Sequence, residues 1–152
     1  MSKHQAKADR EAKVESITLP PDYRPSKNEP FMNPLQQEYF RRKLLRWREE
    51  LLAESTQTLQ NLQEATSQEP DFADRASIET DRALELRTRD RGRKLIAKID
   101  AALRRIEDGS YGYCEETGEP ISLSRLEARP IATLSIDAQE RHERREKVYR
   151  DD

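Results

Sequence analysis

The residues with the clearest capacity for chemistry form an incomplete metal-ligand pattern in the last third of the chain. Cys114-x-x-Thr117 and Ser135-x-x-Ala138 have the spacing of a four-cysteine zinc ribbon in which a single cysteine is retained. Zinc requires about four ligands, mostly thiolate or imidazole, in a tetrahedral arrangement. One thiol and His142 do not supply that set. We therefore predict that the chain binds no zinc and that packing alone holds a ribbon-shaped subdomain together.

A second candidate is a pair of carboxylates, Asp71 and Asp74, in a short acidic turn between two long runs that lack proline. Two carboxylates three residues apart can bind a divalent cation or contact basic groups of a partner. Asp74 can instead cap the helix that follows, an interpretation that explains Asp74 but not Asp71. The residues alone leave both interpretations open.

A third candidate is the cation-rich run from Arg87 to Lys94. Its spacing favours a solvated helix face with pairing between residues three or four apart. The chain has no Ser/His/Asp or Cys/His arrangement and no glycine-rich phosphate loop. We therefore expect a protein that is not an enzyme.

The elements that position these residues are two long helices. After Pro34, no glycine or proline occurs up to about Thr66. In residues 76–108, Gly92 is the only glycine, and there is no proline. Two such runs joined by a short turn predict an antiparallel helical hairpin. We expect a mainly α fold: residues 1–32 flexible or extended, a coiled-coil hairpin over 33–108 with its tip at 67–76, and a small globular base over 109–152. This base would combine a degenerate zinc-finger-like β segment with a C-terminal helix.

Apolar residues at steps of three and four predict the seam of this hairpin. In the first helix these apolar residues form one stripe, and in the second helix they form an outer set and an inner set. The predicted seam residues are Phe40, Leu44, Trp47, Leu51, Ser55, Leu59 and Leu62 in the first helix, and Ala76, Ala83, Leu86, Leu95, Ile99, Leu103 and Ile106 in the second.

Composition agrees with long exposed helices, since 34% of residues are hydrophobic and 38% are charged. The net charge of −2 gives no argument for nucleic acid or a membrane surface as partner. No apolar run approaches the length of a membrane span, so we expect a cytoplasmic protein. The single cysteine excludes an internal disulfide.

Four blocks of sequence together resemble the DksA family of bacterial transcription factors, over about residues 30 to 150. The blocks are Asp71-x-x-Asp74-Arg75-Ala76, the run from Leu84 to Ile99, Gly112-Tyr113-Cys114, and Arg125-Leu126-Glu127-Ala128-Arg129-Pro130. The resemblance implies a coiled-coil hairpin on a small base, in a monomer that binds RNA polymerase, not DNA, through the secondary channel. It also implies joint action with the alarmone ppGpp at sensitive promoters such as those of ribosomal RNA.

The resemblance also implies which residues act. Asp71, Asp74 and Ala76 would form the tip that approaches the polymerase active site. The ppGpp-contacting cluster would comprise Arg91, Leu95, Lys98, Arg129 and the residue at position 139. Lys and Arg donors suit a polyphosphate, because charged oxygens strengthen their hydrogen bonds.

This chain departs from the family pattern at three places. Gln139 stands where many members have lysine, Arg82 stands where an aromatic residue is familiar, and Cys114 is the sole remaining zinc-ligand cysteine. Two other functions stay open as alternatives. One is a Gre-type transcript-cleavage factor, whose hairpin holds magnesium with two tip acids, and the other is a structural coiled-coil adapter.

Overall fold

The computed structural model describes residues 17–67 and 72–151, with side chains for residues 17–64 and 75–150. The fold is mainly α, as predicted. Helix α1 spans Pro34–Ser67, α2 Phe72–Asp108, α3 Leu123–Ala128 and α4 Ile136–Asp151. No described helix is long and apolar enough to cross a membrane.

The start of α1 is fixed by Asn33 and Pro34. The Asn33 side-chain oxygen accepts the Gln36 backbone N–H at 2.9 Å, and Pro34 is the first helical residue. Proline loses nothing there, because its absent N–H would have had no partner inside the helix. Asn33 also donates its side-chain amide to Glu29 at 3.1 Å, which ties the preceding segment to this cap.

The described residues divide into two compact units. Residues 17–44 and 101–151 form one, called here the core unit, and residues 45–67 and 72–100 form the other, called the hairpin unit.

The core unit holds most of the buried apolar side chains. Phe40 and Tyr111 are almost fully buried and their ring centroids lie 5.7 Å apart. The Tyr111 hydroxyl donates to the Pro130 carbonyl at 2.8 Å, so its polar end is satisfied in the interior. Tyr113, by contrast, is 38% exposed and meets Phe31 edge-on. The buried apolar residues of this unit are Met32, Phe40, Leu44, Ala102, Ile106, Tyr111, Cys114, Ile121, Leu126, Ile131, Ala132 and Ala138.

Gly112 permits a close approach of the segment before α1. It adopts φ +90°, and a Cβ atom placed there would lie 3.0 Å from the Met32 methyl group and 3.2 Å from the Phe31 ring. Both the backbone conformation and the space therefore require glycine at this position.

The predicted β segment is wrong in detail. The structure assigns no strand to the described residues of this region, and its β pairing is a single antiparallel bridge between Tyr113 and Pro120. The stretch from Pro120 to Ser122 instead leads into the six-residue helix α3, whose N-cap Ser122 accepts the Arg125 N–H. The serine cap explains the helix start, because its hydroxyl satisfies a backbone donor that the helix leaves free.

The seam of the hairpin unit is more polar than predicted. Leu51 and Ile99 are buried as expected, but Leu59 is exposed and Thr58 takes its place in the half-buried row. On α2 the predicted outer residues Ala76, Ala83 and Leu86 are all exposed. The predicted seam residues Trp47 and Leu95 are half-buried. A half-buried row further along the unit comprises Ser55, Thr58 and Leu62 on α1, and Ile78, Arg82, Glu85, Arg89, Gly92 and Ile96 on α2.

This row follows alternating steps of four and three, the repeat of a two-stranded coiled coil. Three of its members, Arg82, Glu85 and Arg89, bring charge into the seam. The Nε atoms of Arg82 and Arg89 are buried and have no hydrogen-bond partner within the described part of the chain. Arg48 and Asp100 form an ion pair at 2.8 Å that joins the two helices near the other end of the unit.

Candidate functional site

The acidic tip lies at the start of α2. The helix begins at Phe72, so Asp74 lies in its first turn, and the interpretation of Asp74 as the N-cap is wrong. Ala76 is exposed on the same helix. Asp71 lies outside the described residues.

Three of the predicted ppGpp-contacting residues share one face of α2. Arg91, Leu95 and Lys98 are separated by steps of four and three, which aligns them along the helix. Arg91 and Lys98 are exposed, and neither forms an ion pair with any described residue. The neighbouring Arg93 is held weakly by Asp90 at 3.8 Å, with both side chains largely exposed. The α2 face therefore offers two uncommitted cations beside a half-buried leucine.

The other two predicted contact residues belong to the core unit. Arg129 is the C-cap of α3, and its backbone N–H donates to the Arg125 carbonyl at 2.7 Å while its side chain is exposed. Gln139 lies in the first turn of α4 and is half-buried. Its side-chain amide donates to Glu143 at 3.3 Å, so one of its donors is already occupied.

The four positions of the incomplete zinc pattern have distinct local roles. Cys114 is buried, and its sulfur accepts hydrogen bonds from the Thr117 hydroxyl and from the backbone N–H groups of Ser135, Thr117 and Glu116. Burial acts to raise the pKa of Cys114, but these four donors outweigh it and lower the pKa to about 6. Ser135 caps α4 through its hydroxyl, which accepts the Ala138 N–H at 3.3 Å.

His142 of α4 adds one more polar contact to this region. Its ring Nε2 meets the Glu116 carboxylate, which lies two residues after Cys114. The contact links α4 to the turn that holds the cysteine. No local motif predicts this contact, because the two residues lie 26 positions apart.

Sequence reasoning also missed the residues that hold α3 in place. Glu127 accepts a hydrogen bond from the Tyr39 hydroxyl at 2.6 Å and another from the Lys43 ammonium at 2.7 Å. These donors come from α1, more than 80 residues earlier in the chain. Glu127 itself lies within a block that resembles the DksA family, but nothing local to it identifies Tyr39 and Lys43 as its partners.

Two family models match the chain, and together they cover most of residues 36–144. Residues 36–106 match the DksA N-terminal domain, described as that of the DnaK suppressor protein DksA. Residues 109–144 match the prokaryotic dksA/traR C4-type zinc finger. The boundary between the two matches falls at Gly109, directly after the end of α2.

The zinc-finger match corrects the prediction that the chain binds no zinc. That prediction is wrong by this finding, because the matched region is a zinc-binding type of domain. The residues present do not form the four-thiolate set of that type: Cys114 is the sole cysteine, and Ala138 carries no donor atom. Among the described residues no three His, Cys, Asp or Glu side chains cluster as a metal site.

Curated relatives resemble the chain along most of its length. RNA polymerase-binding transcription factor DksA from Caulobacter vibrioides (strain NA1000 / CB15N) is 72% identical over 131 residues, which cover 86% of this chain and 92% of the relative. The protein of the same name from Escherichia coli (strain K12) is 46% identical over 125 residues, covering 82% and 83%.

A solved structure agrees with the fold as well. Transcription factor DksA2 from Pseudomonas aeruginosa superimposes with a TM-score of 0.73 at 42% identity, covering 91% of this chain and 98% of that one. Both domains of the family are therefore matched in order, and the relatives span the same two regions. The chain belongs to the DksA family.

Proposed function

We propose that this protein is a transcription regulator, not an enzyme, that binds bacterial RNA polymerase in the cytoplasm as a monomer. The observation that carries the proposal is the 72% identity, over 86% of the chain, to a relative named RNA polymerase-binding transcription factor. The mixed surface charge supports a protein partner over DNA, because 28 basic and 30 acidic side chains leave no net positive charge for a phosphate backbone.

The hairpin unit is the part that enters the secondary channel of the polymerase. Residues 45–67 of α1 form about six helical turns, roughly 35 Å at 1.5 Å per residue. Their seam is narrow and their remaining faces are exposed, which suits a rod that is surrounded by a partner. Asp71, Asp74 and Ala76 then act at the tip, close to the polymerase active site.

The alarmone ppGpp acts together with the protein at this proposed interface. Arg91, Lys98 and Arg129 supply exposed cations without partners among the described residues. The other residues proposed to contact ppGpp are Leu95 on α2 and Gln139 on α4. A charged polyphosphate oxygen strengthens each Lys or Arg hydrogen bond, and one such contact is worth roughly 1.5–3 kcal/mol.

Competition for polymerase tests the proposed channel. A Gre-type factor added in excess must displace this protein, because two secondary-channel binders exclude one another. If binding of this protein is unchanged at a saturating concentration of the competitor, the proposed binding through the secondary channel is contradicted. Co-purification with polymerase tests separately whether the protein binds polymerase at all. A cleavage assay on backtracked complexes is run in parallel, and stimulated cleavage would assign the protein to the Gre-type class instead.

Asp74→Asn tests the tip separately from binding. The substitution removes the charge but keeps a similar side chain, so the free energy of unfolding should change by less than about 1 kcal/mol. We expect inhibition at a ribosomal promoter to be lost while polymerase affinity stays within several-fold. Asp81→Asn, at an exposed position two turns further along α2, is the matched control. An Asp74→Asn protein that still inhibits contradicts the role of the tip.

A further inference from the structure

Helix α3 is too short to hold its own position. It has six residues, and its one buried side chain is that of Leu126. An isolated helix of this length is unstable in water, because few hydrogen bonds compensate for ordering its backbone. A single apolar anchor also leaves the helix free to rotate about that anchor. Other contacts must therefore fix the direction in which its C-terminal residues point.

Glu127 supplies such a contact next to the anchor. Its carboxylate accepts hydrogen bonds from the Tyr39 hydroxyl at 2.6 Å and the Lys43 ammonium at 2.7 Å. Tyr39 and Lys43 are one turn apart on α1, so the two donors form a fixed fork. Burial acts to raise the pKa of Glu127, but the two donors and the nearby Arg24 charge outweigh it and lower the pKa. The carboxylate is therefore ionised at neutral pH, when both bonds are strongest.

Two residues further on, the backbone around Arg129 is also held. The Arg129 N–H donates to the Arg125 carbonyl at 2.7 Å, and its carbonyl accepts the Ala132 N–H at 3.0 Å. The next carbonyl, that of Pro130, accepts the buried Tyr111 hydroxyl. The Arg129 side chain is exposed and has no hydrogen-bond or ion-pair partner among the residues that the structure describes. Its guanidinium is thus free to bind, on a backbone that is fixed on both sides.

We infer that Glu127 is a positioning residue for Arg129: through Tyr39 and Lys43 it fixes α3 so that the Arg129 guanidinium is presented to a phosphate group of ppGpp. This inference rests on the proposed function, which assigns Arg129 to the ppGpp contact. Glu127 itself touches no phosphate, since its own negative charge would repel one. Its effect comes from reducing the reorganisation that binding would otherwise require.

The measured quantity is the ppGpp coupling, defined as the ratio of polymerase affinities with and without ppGpp. Glu127→Ala should reduce the coupling about two- to fivefold, the range expected for loss of an exposed ion pair. Glu127→Gln, which keeps an acceptor for Tyr39, should have a smaller effect. Glu119→Ala is the matched control, because Glu119 is an exposed carboxylate of the same unit without a side-chain partner among the described residues.

Two further variants separate positioning from general stability. Lys43→Glu combined with Glu127→Lys restores the ion pair in reverse and should recover the coupling, which a merely destabilised protein would not do. In an Arg129→Ala background, Glu127→Ala should cause no further loss, because Glu127 acts through Arg129. A full additional loss in that background overturns the inference. So does normal coupling in Glu127→Ala when Arg129→Ala is impaired. Normal coupling in Arg129→Ala itself would instead refute the proposed ppGpp contact, and the inference with it.

Discussion

The core unit and the hairpin unit are stabilised in different ways. The core unit buries aromatic and aliphatic side chains such as Phe40, Tyr111 and Leu126 to less than 2% exposure. The described part of the hairpin unit buries Leu51 and Ile99, while its seam beyond them carries serine, threonine, glutamate and arginine. Several of its leucines face solvent, among them Leu84 at 54% exposure.

The free energy of folding is therefore distributed unequally between the two units. Burial of apolar area contributes about 25 cal/mol per Å², so most of the stabilisation comes from the core unit. The hairpin unit depends on the continuity of its two helices and on a few contacts such as the Arg48–Asp100 pair. Its surface residues are thus available for a partner, since few of them are needed for packing.

Replacing one leucine by alanine in each unit should give the largest difference in unfolding free energy between the two units. Leu44→Ala removes a fully buried side chain of the core unit and should cost about 3 kcal/mol of unfolding free energy. Leu84→Ala removes an exposed side chain of the hairpin unit and should cost less than about 0.5 kcal/mol. Urea unfolding of both variants measures the difference. Equal losses would mean that the hairpin leucines are packed after all.

A buried charge gives the next largest effect. Glu38 is 1% exposed and accepts hydrogen bonds from Arg41 and Arg42 at 2.8–3.0 Å. Burial acts to raise its pKa, but the two guanidinium groups outweigh burial and lower it below the usual 4.5. Glu38→Gln should therefore cost about 2 kcal/mol at neutral pH.

The pH dependence of this variant follows from the sign of the shift. A lowered folded-state pKa stabilises the protein above the unfolded value of 4.5, and this stabilisation is lost as pH falls through the folded-state pKa. The difference between parent and Glu38→Gln should be constant from neutral pH to about 5.5 and should shrink below 4.5. Thermal unfolding across this range measures it, and a difference that grows on acidification would contradict the ion pair.

The polar seam gives the smallest effect, and one of opposite sign. Arg82 brings a buried Nε atom without a partner in the described residues into the seam. Arg82→Leu should stabilise the hairpin unit by about 1 kcal/mol, because it removes an unsatisfied donor and adds apolar contact. Amide hydrogen exchange of residues 78–89 should slow by roughly fivefold, with exchange in the core unit unchanged. Faster exchange would show that Arg82 is well accommodated.

Local signals in the sequence predict the helices well. Asn33-Pro34, a capping residue followed by proline, marks the start of α1, and Gly109 directly follows the end of α2. The seam could be predicted only in part. Stepping by four from Ser55 suggests Leu59, whereas the alternating steps of a two-stranded seam select Thr58. Hydrophobicity favoured the leucine, but helix geometry decides the position.

The features missed in the core unit depend on contacts that are distant in sequence. Helix α3 is too short for a periodic pattern, and its serine cap is a weak signal alone. The fork on Glu127 joins residues 84 and 88 positions apart, a separation that no local motif reports. The cap was one of two open interpretations of Asp74, because two cap-like residues, Asp71 and Asp74, precede Ala76 and spacing alone does not separate them.

Transcription in vitro from a ribosomal RNA promoter is the decisive test of whether this protein regulates RNA polymerase together with ppGpp. Purified polymerase is assayed with and without this protein, and with and without ppGpp. We expect the protein alone to reduce initiation and ppGpp to deepen the reduction, while neither changes transcription from an insensitive promoter. Unchanged initiation at saturating protein, with ppGpp present, would contradict the account.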